Sequence, residues 1–237
     1  MREKKSIAII TARGGSKRIP KKNIKDFCGK PIIAYSIIAA LESGIFDEVM
    51  VSTDSEEIGK IAKDYGASVP FWRSEETSND YATTYDVISE VINTYEETGI
   101  KYDYACCIYP TAPFITDKKL GEAFNILLEK NVDSVIPVVP YSFPPQRAFI
   151  EKEGRIQYQY PQYMNSRSQD LQKIYHDCGQ FYFFDVKALK EQKKIVMENC
   201  YGILVPEEEV QDIDNMSDWK IAELKYKLLL EKTGNKG

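Results

Sequence analysis

Short apolar runs recur along the chain, separated by longer stretches in which apolar positions return every three to four residues. Runs of the first kind, such as Ser6-Ile7-Ala8-Ile9-Ile10, predict strands over 6–11, 48–52, 68–72, 104–109, 134–139, 180–185 and 201–205. The second pattern predicts helices over 31–43, 55–65, 82–98, 117–130, 186–192 and 217–231. In the last helix Trp219, Ala222, Leu224, Tyr226, Leu229 and Leu230 fall near one face, with Ser217 as N-cap and Asp218 in the first turn. Strands alternating with helices of about ten or more residues imply βαβ units. The expected fold class is α/β: a Rossmann-like, mostly parallel sheet flanked by helices. Ligands of such sheets sit beyond the carboxyl ends of the strands, which puts the loops after Thr11, Ser52, Tyr109 and Val139 on one rim.

Residues 140–178 break the rhythm. They hold Pro140, Pro144, Pro145 and Pro161, many Tyr and Gln, and the alternating stretch Gly154-Arg155-Ile156-Gln157-Tyr158-Gln159-Tyr160. The pattern predicts an inserted β-ribbon. Residues 1–139 and 179–237 then form the nucleotide-binding α/β domain, and 140–178 an inserted subdomain for dimerisation and for facing the substrate. An exposed aromatic ribbon needs cover, which predicts a homodimer.

Charge sharpens this picture. The 237-residue chain has a net charge of −5, yet residues 1–30 hold ten Lys and Arg against two acids. A cationic segment on an acidic protein suits a small polyanion and argues against nucleic acid as partner. Apolar runs fall far short of the roughly 20 residues a membrane span needs, and the N-terminal run is too short for a signal-peptide core. The expected location is the cytoplasm, without membrane association. Five scattered cysteines with no CxxC predict free thiols.

Candidate chemistry begins after the first strand, in Thr11-Ala12-Arg13-Gly14-Gly15-Ser16-Lys17-Arg18-Ile19-Pro20-Lys21-Lys22-Asn23. Gly14 and Gly15 present backbone N–H groups without a Cβ in the way, and five cations surround them, a combination for holding phosphates. Neither the Walker A nor the GxGxxG spacing is present. Asp212 and Asp214, at i and i+2 on an extended segment, point to one side and offer hard oxygen ligands for Mg²⁺ beside a triphosphate. A helix-capping Asp with a solvated neighbour is the simpler reading of that pair. Arg167, followed by Ser168 and Gln169, suits carboxylate recognition by its planar fork. His176 is the single histidine and sits in Tyr175-His176-Asp177-Cys178-Gly179-Gln180, as a substrate contact or a fold-corner hydrogen bond. Arg73 and the segment Asp80-Tyr81-Ala82-Thr83-Thr84 precede a helix, where Thr83 or Thr84 caps it or reaches a nucleobase edge.

Taken in order, these segments resemble the acylneuraminate cytidylyltransferase family. The resemblance rests on 12–23, Val51-Ser52-Thr53-Asp54, Tyr109-Pro110-Thr111-Ala112-Pro113, Arg167-Ser168-Gln169 and Asp212-Ile213-Asp214. Within the family, Gln169-Asp170-Leu171, Tyr175 to Tyr182 and Val210 to Asp214 are similar to the pseudaminic acid branch. The resemblance implies transfer of a cytidylyl group from CTP to a nine-carbon 2-keto sugar acid, with Mg²⁺ as cofactor. It implies a nucleotide-binding set of Ala12, Arg13, Gly14, Lys17, Asn23, Arg73 and Thr84, with Arg13 and Lys17 on the triphosphate. Lys22 falls near the α-phosphate, and Asp212 and Asp214 match metal ligands. Tyr109, Arg167, Gln169 and His176 face the sugar. Tyr109 stands where sialic acid enzymes carry Gln, and Cys178 where they carry Asn, which argues against ordinary sialic acid. Synthetases for CMP-sialic, CMP-legionaminic or CMP-KDO sugars, other nucleotidyltransferases and a non-catalytic nucleotide-binding subunit remain the alternatives.

Overall fold

The computed structural model describes residues 4–234. The elements in chain order are β1 (Ser6–Thr11), β2 (Asp26–Phe27), β3 (Lys30–Pro31), α1 (Ile32–Ser43), β4 (Glu48–Ser52), α2 (Glu56–Asp64) and α3 (Glu75–Ser78). Then come α4 (Thr84–Glu97), β5 (Tyr104–Ile108), α5 (Asp117–Glu129), β6 (Ser134–Pro140), β7 (Phe149–Lys152), β8 (Arg155–Tyr158) and β9 (Tyr175–Asp177). The chain continues through β10 (Phe181–Asp185), α6 (Val186–Gln192), β11 (Cys200–Leu204) and α7 (Met216–Gly234). No described helix is long and apolar enough to cross a membrane.

The central sheet runs β11-β6-β10-β5-β1-β4. β1 pairs parallel with β4 and β5, and β11 with β6, while β10 lies antiparallel between β5 and β6. Five strands therefore share one direction, and the fold is a Rossmann-like, mostly parallel sheet covered on both faces. The two-residue period of β1 divides its side chains between the layers. Ala8 and Ile10 join the core under α1, α2 and α5, while Ile7 and Ile9 join the core under α4 and α6. Cys106 and Cys107, adjacent on β5, divide the same way, and all five cysteines are free thiols.

One expected strand is absent. Over 68–72 only Ser68 pairs, as an isolated bridge to Met50. Pro70 cannot donate to a ladder, so pairing stops there. The start of α7 also differs from expectation. Asn215 accepts at Oδ1 from the Ser217 and Asp218 N–H groups, and Asp218 Oδ2 accepts from the Asp214 and Asn215 N–H groups, each at 2.9 Å. Asn215 is thus the cap of a reciprocal box and Ser217 lies inside the helix. Leu224 and Leu230 point outward; Trp219 and Ala222 are the buried pair.

The insertion leaves and returns along β6. β9 pairs antiparallel with the end of β6, setting His176 opposite Val139, and the Tyr141 N–H donates to the Ile174 carbonyl above it. Beyond this base β7 and β8 form a hairpin. Its turn residues Glu153 and Gly154 have φ of 52° and 76°, the left-handed pair that matches strand twist in a two-residue turn.

Candidate active site

The loop after β1 is pinned on both sides. The Ala12 N–H donates to the Ser52 carbonyl, and the buried Asn23 side-chain amide donates to the Arg13 carbonyl at 2.9 Å. Gly14 differs from expectation. Its N–H donates to Asp54 Oδ1 at 2.7 Å, and a Cβ there would sit 3.1 Å from the Ser55 Cβ. Glycine at this position serves close approach to the α2 entrance, not an open amide for an anion.

A third apolar cluster explains how residues two hundred positions apart meet. Ile19 of the loop, Phe27, Ile32, Phe114, Ile213, Trp219 and Ala222 pack together, which clamps α7 and the segment before it onto the loop. Lys22 Nζ then donates to the Ile213 carbonyl at 2.7 Å, between the two aspartates. Burial lowers the pKa of Lys22, opposed by Asp214 and then Asp212, so both carboxylates act on this ammonium. Arg18 pairs with Asp214 at 2.7 Å. From the other side Lys225 donates to the Val210 carbonyl and the Gln180 amide to the Glu209 carbonyl, each at 2.7 Å.

Two adjoining pockets result. The first, about 480 Å³, is lined by Arg13, Lys17, Arg18, Lys22 and Asn23, with Asp80, Tyr109 and Thr111 opposite. The second, about 610 Å³, is lined by Tyr109, Val139, His176, Asp177, Cys178, Tyr182, Asp212 and Lys225. Tyr109 is the wall they share. Its hydroxyl lies 3.2 Å from Thr84 Oγ1, and its ring packs 5.4 Å from that of Tyr182, whose hydroxyl donates to Asp177 Oδ2. Burial raises the pKa of both phenols, so both stay neutral. Burial likewise pushes the Cys178 thiol up to about 12, which leaves it inert as a nucleophile.

The other expected residues sit as follows. Thr83 caps α4 in a reciprocal box with Asp86, which frees Thr84 to meet Tyr109. Arg73 is buried and lines neither pocket, donating to the Ser52 hydroxyl at 3.0 Å and carbonyl at 2.6 Å; burial pulls its pKa down. Arg167 is exposed and lines neither pocket. Gln169 lines a separate hollow within the insertion, with Gln146 and Pro144. Asp80, Asp177 and Tyr182 enter the site from segments the sequence singled out without giving these residues a role; an acid in a turn just ahead of a capping box was the signal for Asp80.

The donor set bears on a metal. Among the described residues no group of three or more His, Cys, Asp or Glu is placed to hold a metal ion by itself. Asp212 lines the second pocket and Asp214, two residues on, pairs with Arg18 of the first, so a hard cation held by these two carboxylates needs the oxygens of a bound phosphate and water to complete its shell. That fits Mg²⁺ arriving with a nucleotide.

The sequence pattern of the cytidylyltransferase family matches residues 7–200. The chain belongs to this family. Its members here include the pseudaminic acid cytidylyltransferase of Campylobacter jejuni, 42% identical over 94% of this chain and 97% of that one. The CMP-N,N'-diacetyllegionaminic acid synthase of Legionella pneumophila is 33% identical over 92% of this chain and 94% of its own. A solved CMP:2-keto-3-deoxy-manno-octonic acid synthetase shares the fold at TM-score 0.67, with 16% identity, covering 96% of this chain and 99% of that one. This cytidylyltransferase-family protein is thus a nucleotidyltransferase, and its cationic loop and acidic segment meet at one cleft.

Proposed function

We propose that the protein transfers CMP from CTP to a nonulosonic acid, pseudaminic acid first among them, releasing pyrophosphate. The observation that carries the reading is Tyr109 as the common wall of a cation-lined pocket and a polar neighbour. A nucleotide in the first pocket then exposes its α-phosphorus to a hydroxyl held in the second. Transfer of this kind depends on positioning and charge stabilisation. Arg13 and Lys17 hold the β- and γ-phosphates and offset the charge that grows on the leaving pyrophosphate. Lys22 and Arg18 stand nearer the α-phosphate. Asn23 keeps the loop in shape through the Arg13 carbonyl, and Arg73 stiffens the strand end behind it. His176, Asp177 and Lys225 line the acceptor side, where a sugar acid finds donors for its carboxylate and hydroxyls. Asp212 and Asp214 would hold Mg²⁺, which supplies charge neutralisation between phosphate oxygens when bound.

The choice of sugar is supported by the C. jejuni relative and by the acceptor-side residues Tyr109 and Cys178. Residues 140–178 serve as the dimerisation subdomain, with Arg167 and Gln169 brought to a sugar only across a partner. The test is pyrophosphate release from CTP and Mg²⁺ with pseudaminic, legionaminic and sialic acids side by side. Pseudaminic acid is expected to dominate. Dominant turnover of sialic acid sinks the sugar assignment, and silence with every acid sinks the enzyme reading.

A further inference from the structure

Each cation of the loop after β1 has an engaged partner, and the partners differ in where they sit. Lys21 pairs with Glu57 on the side of the loop away from the first pocket. Arg18 pairs with Asp214, and Lys22 with the Ile213 carbonyl, within the acidic segment already described. Arg13 and Lys17 share a single acid, Asp80, at 2.7 and 2.5 Å through its two carboxylate oxygens. Asp80 itself lines the first pocket. It stands on a preformed turn. Asn79 Oδ1 accepts from the Tyr81 and Ala82 N–H groups at 2.7 and 3.0 Å, between α3 and the Thr83 cap, and this fixes Asp80 at the inward tip.

A carboxylate spanning a guanidinium and an ammonium makes the contacts that two phosphate oxygens would make. A polyphosphate cannot take both cations while Asp80 holds them, and one negative charge beside another is unfavourable in a partly enclosed site. We propose that Asp80 is an internal counter-ion for the polyphosphate site: it yields Arg13 and Lys17 to the nucleotide and recaptures them as pyrophosphate departs. The inference rests on the reading of this loop as the polyphosphate site. Hydrogen bonds from Lys17 and then Arg13 hold the Asp80 carboxyl below the usual range, so it is charged and competes throughout the neutral range. The exchange needs no bond chemistry. Its effect is to weaken the hold on the leaving group and to speed its exit, at some loss of CTP affinity.

The experiment titrates inorganic pyrophosphate, with Mg²⁺, into the unsubstituted protein and into Asp80→Asn, and measures pyrophosphate as a product inhibitor of both. Asn keeps the size and turn of Asp80 and removes the charge. The variant is expected to bind pyrophosphate about three- to tenfold more tightly, the range that loss of two exposed ion pairs supports. Inhibition should strengthen by the same factor and the KM for CTP should fall. The gain should shrink as salt is raised. Glu129→Gln, the same charge change at the exposed end of α5, should leave binding where it was. Equal or weaker binding by Asp80→Asn, or an equal gain in Glu129→Gln, overturns the proposal while leaving the loop assignment intact. No pyrophosphate binding by the unsubstituted protein overturns the loop assignment and this inference with it.

Discussion

Asp212 is the residue whose removal separates chemistry from folding. It is exposed, lines the second pocket and acts on Lys22, and among the described residues its carboxylate takes no hydrogen bond that would hold the fold. Asp212→Ala should therefore keep the melting temperature and lower kcat roughly a hundredfold or more, the scale for loss of one charge-stabilising group. Near-normal pyrophosphate release by this variant would falsify its part in the reaction. The same loop shows how far residue types alone could be followed. Five cations between a strand and an asparagine are legible as phosphate chemistry, because charge and spacing are written in the chain. That Gly14 spends its amide on Asp54, and that Asp80 bridges Arg13 and Lys17, depends on which loops the sheet order brings to β1. No local pattern encodes contacts between residues some 40 to 67 positions apart.

Elements were legible where burial imposes a period and illegible where single groups decide. Most strands and helices follow from their apolar repeats. Pro70 ended a run that hydropathy alone reads as a strand, and the Asn215–Asp218 box moved the start of α7. Glu48, at the head of β4, is a further case of one group organising several elements. Its carboxylate accepts from Ser68 and Tyr95 at 2.6 Å and from Tyr102 at 2.7 Å, joining β4, the Pro70 segment, α4 and the approach to β5. Burial alone would raise its pKa; the three hydroxyls together outweigh this and bring it below 4.5. Glu48→Ala strands three donors and should cost about 1–3 kcal/mol, seen as a melting temperature lower by several degrees. A carboxylate with a depressed folded pKa stabilises fully above its unfolded value and loses that contribution as pH falls through the folded one. The gap between the two proteins in urea unfolding should thus be full at pH 7 and narrow below pH 4.5. A gap that stays constant down to pH 3 would show that the ionised clasp contributes nothing.

At the scale of the whole molecule, the β7–β8 hairpin is the part least able to stand alone. Two strands without a covering layer are marginal in water. Cross-strand pairing places Phe149 opposite Tyr158 and Glu151 opposite Ile156, so one face carries three apolar side chains. Ile156 is 64% exposed and Phe149 57%, and Phe143 nearby reaches 88%. A face this apolar on an otherwise acidic protein calls for a partner surface, and the simplest is the same face of a second copy, since a twofold interface needs only one patch complementary to itself. Light scattering should give twice the 27.2 kDa of the chain. Replacing Ile156 and Phe149 with Asp sets four like charges against each other across such an axis, and should yield a folded monomer. Its catalytic loss would tell what such a dimer contributes. If the insertion only stabilises, turnover per chain should persist at low temperature. If Arg167 and Gln169 act across the interface, the KM for the sugar should rise while pyrophosphate binding stays unchanged, because the cationic loop and Asp212 belong to one chain's own cleft. A monomeric parent protein at assay concentration would end both alternatives.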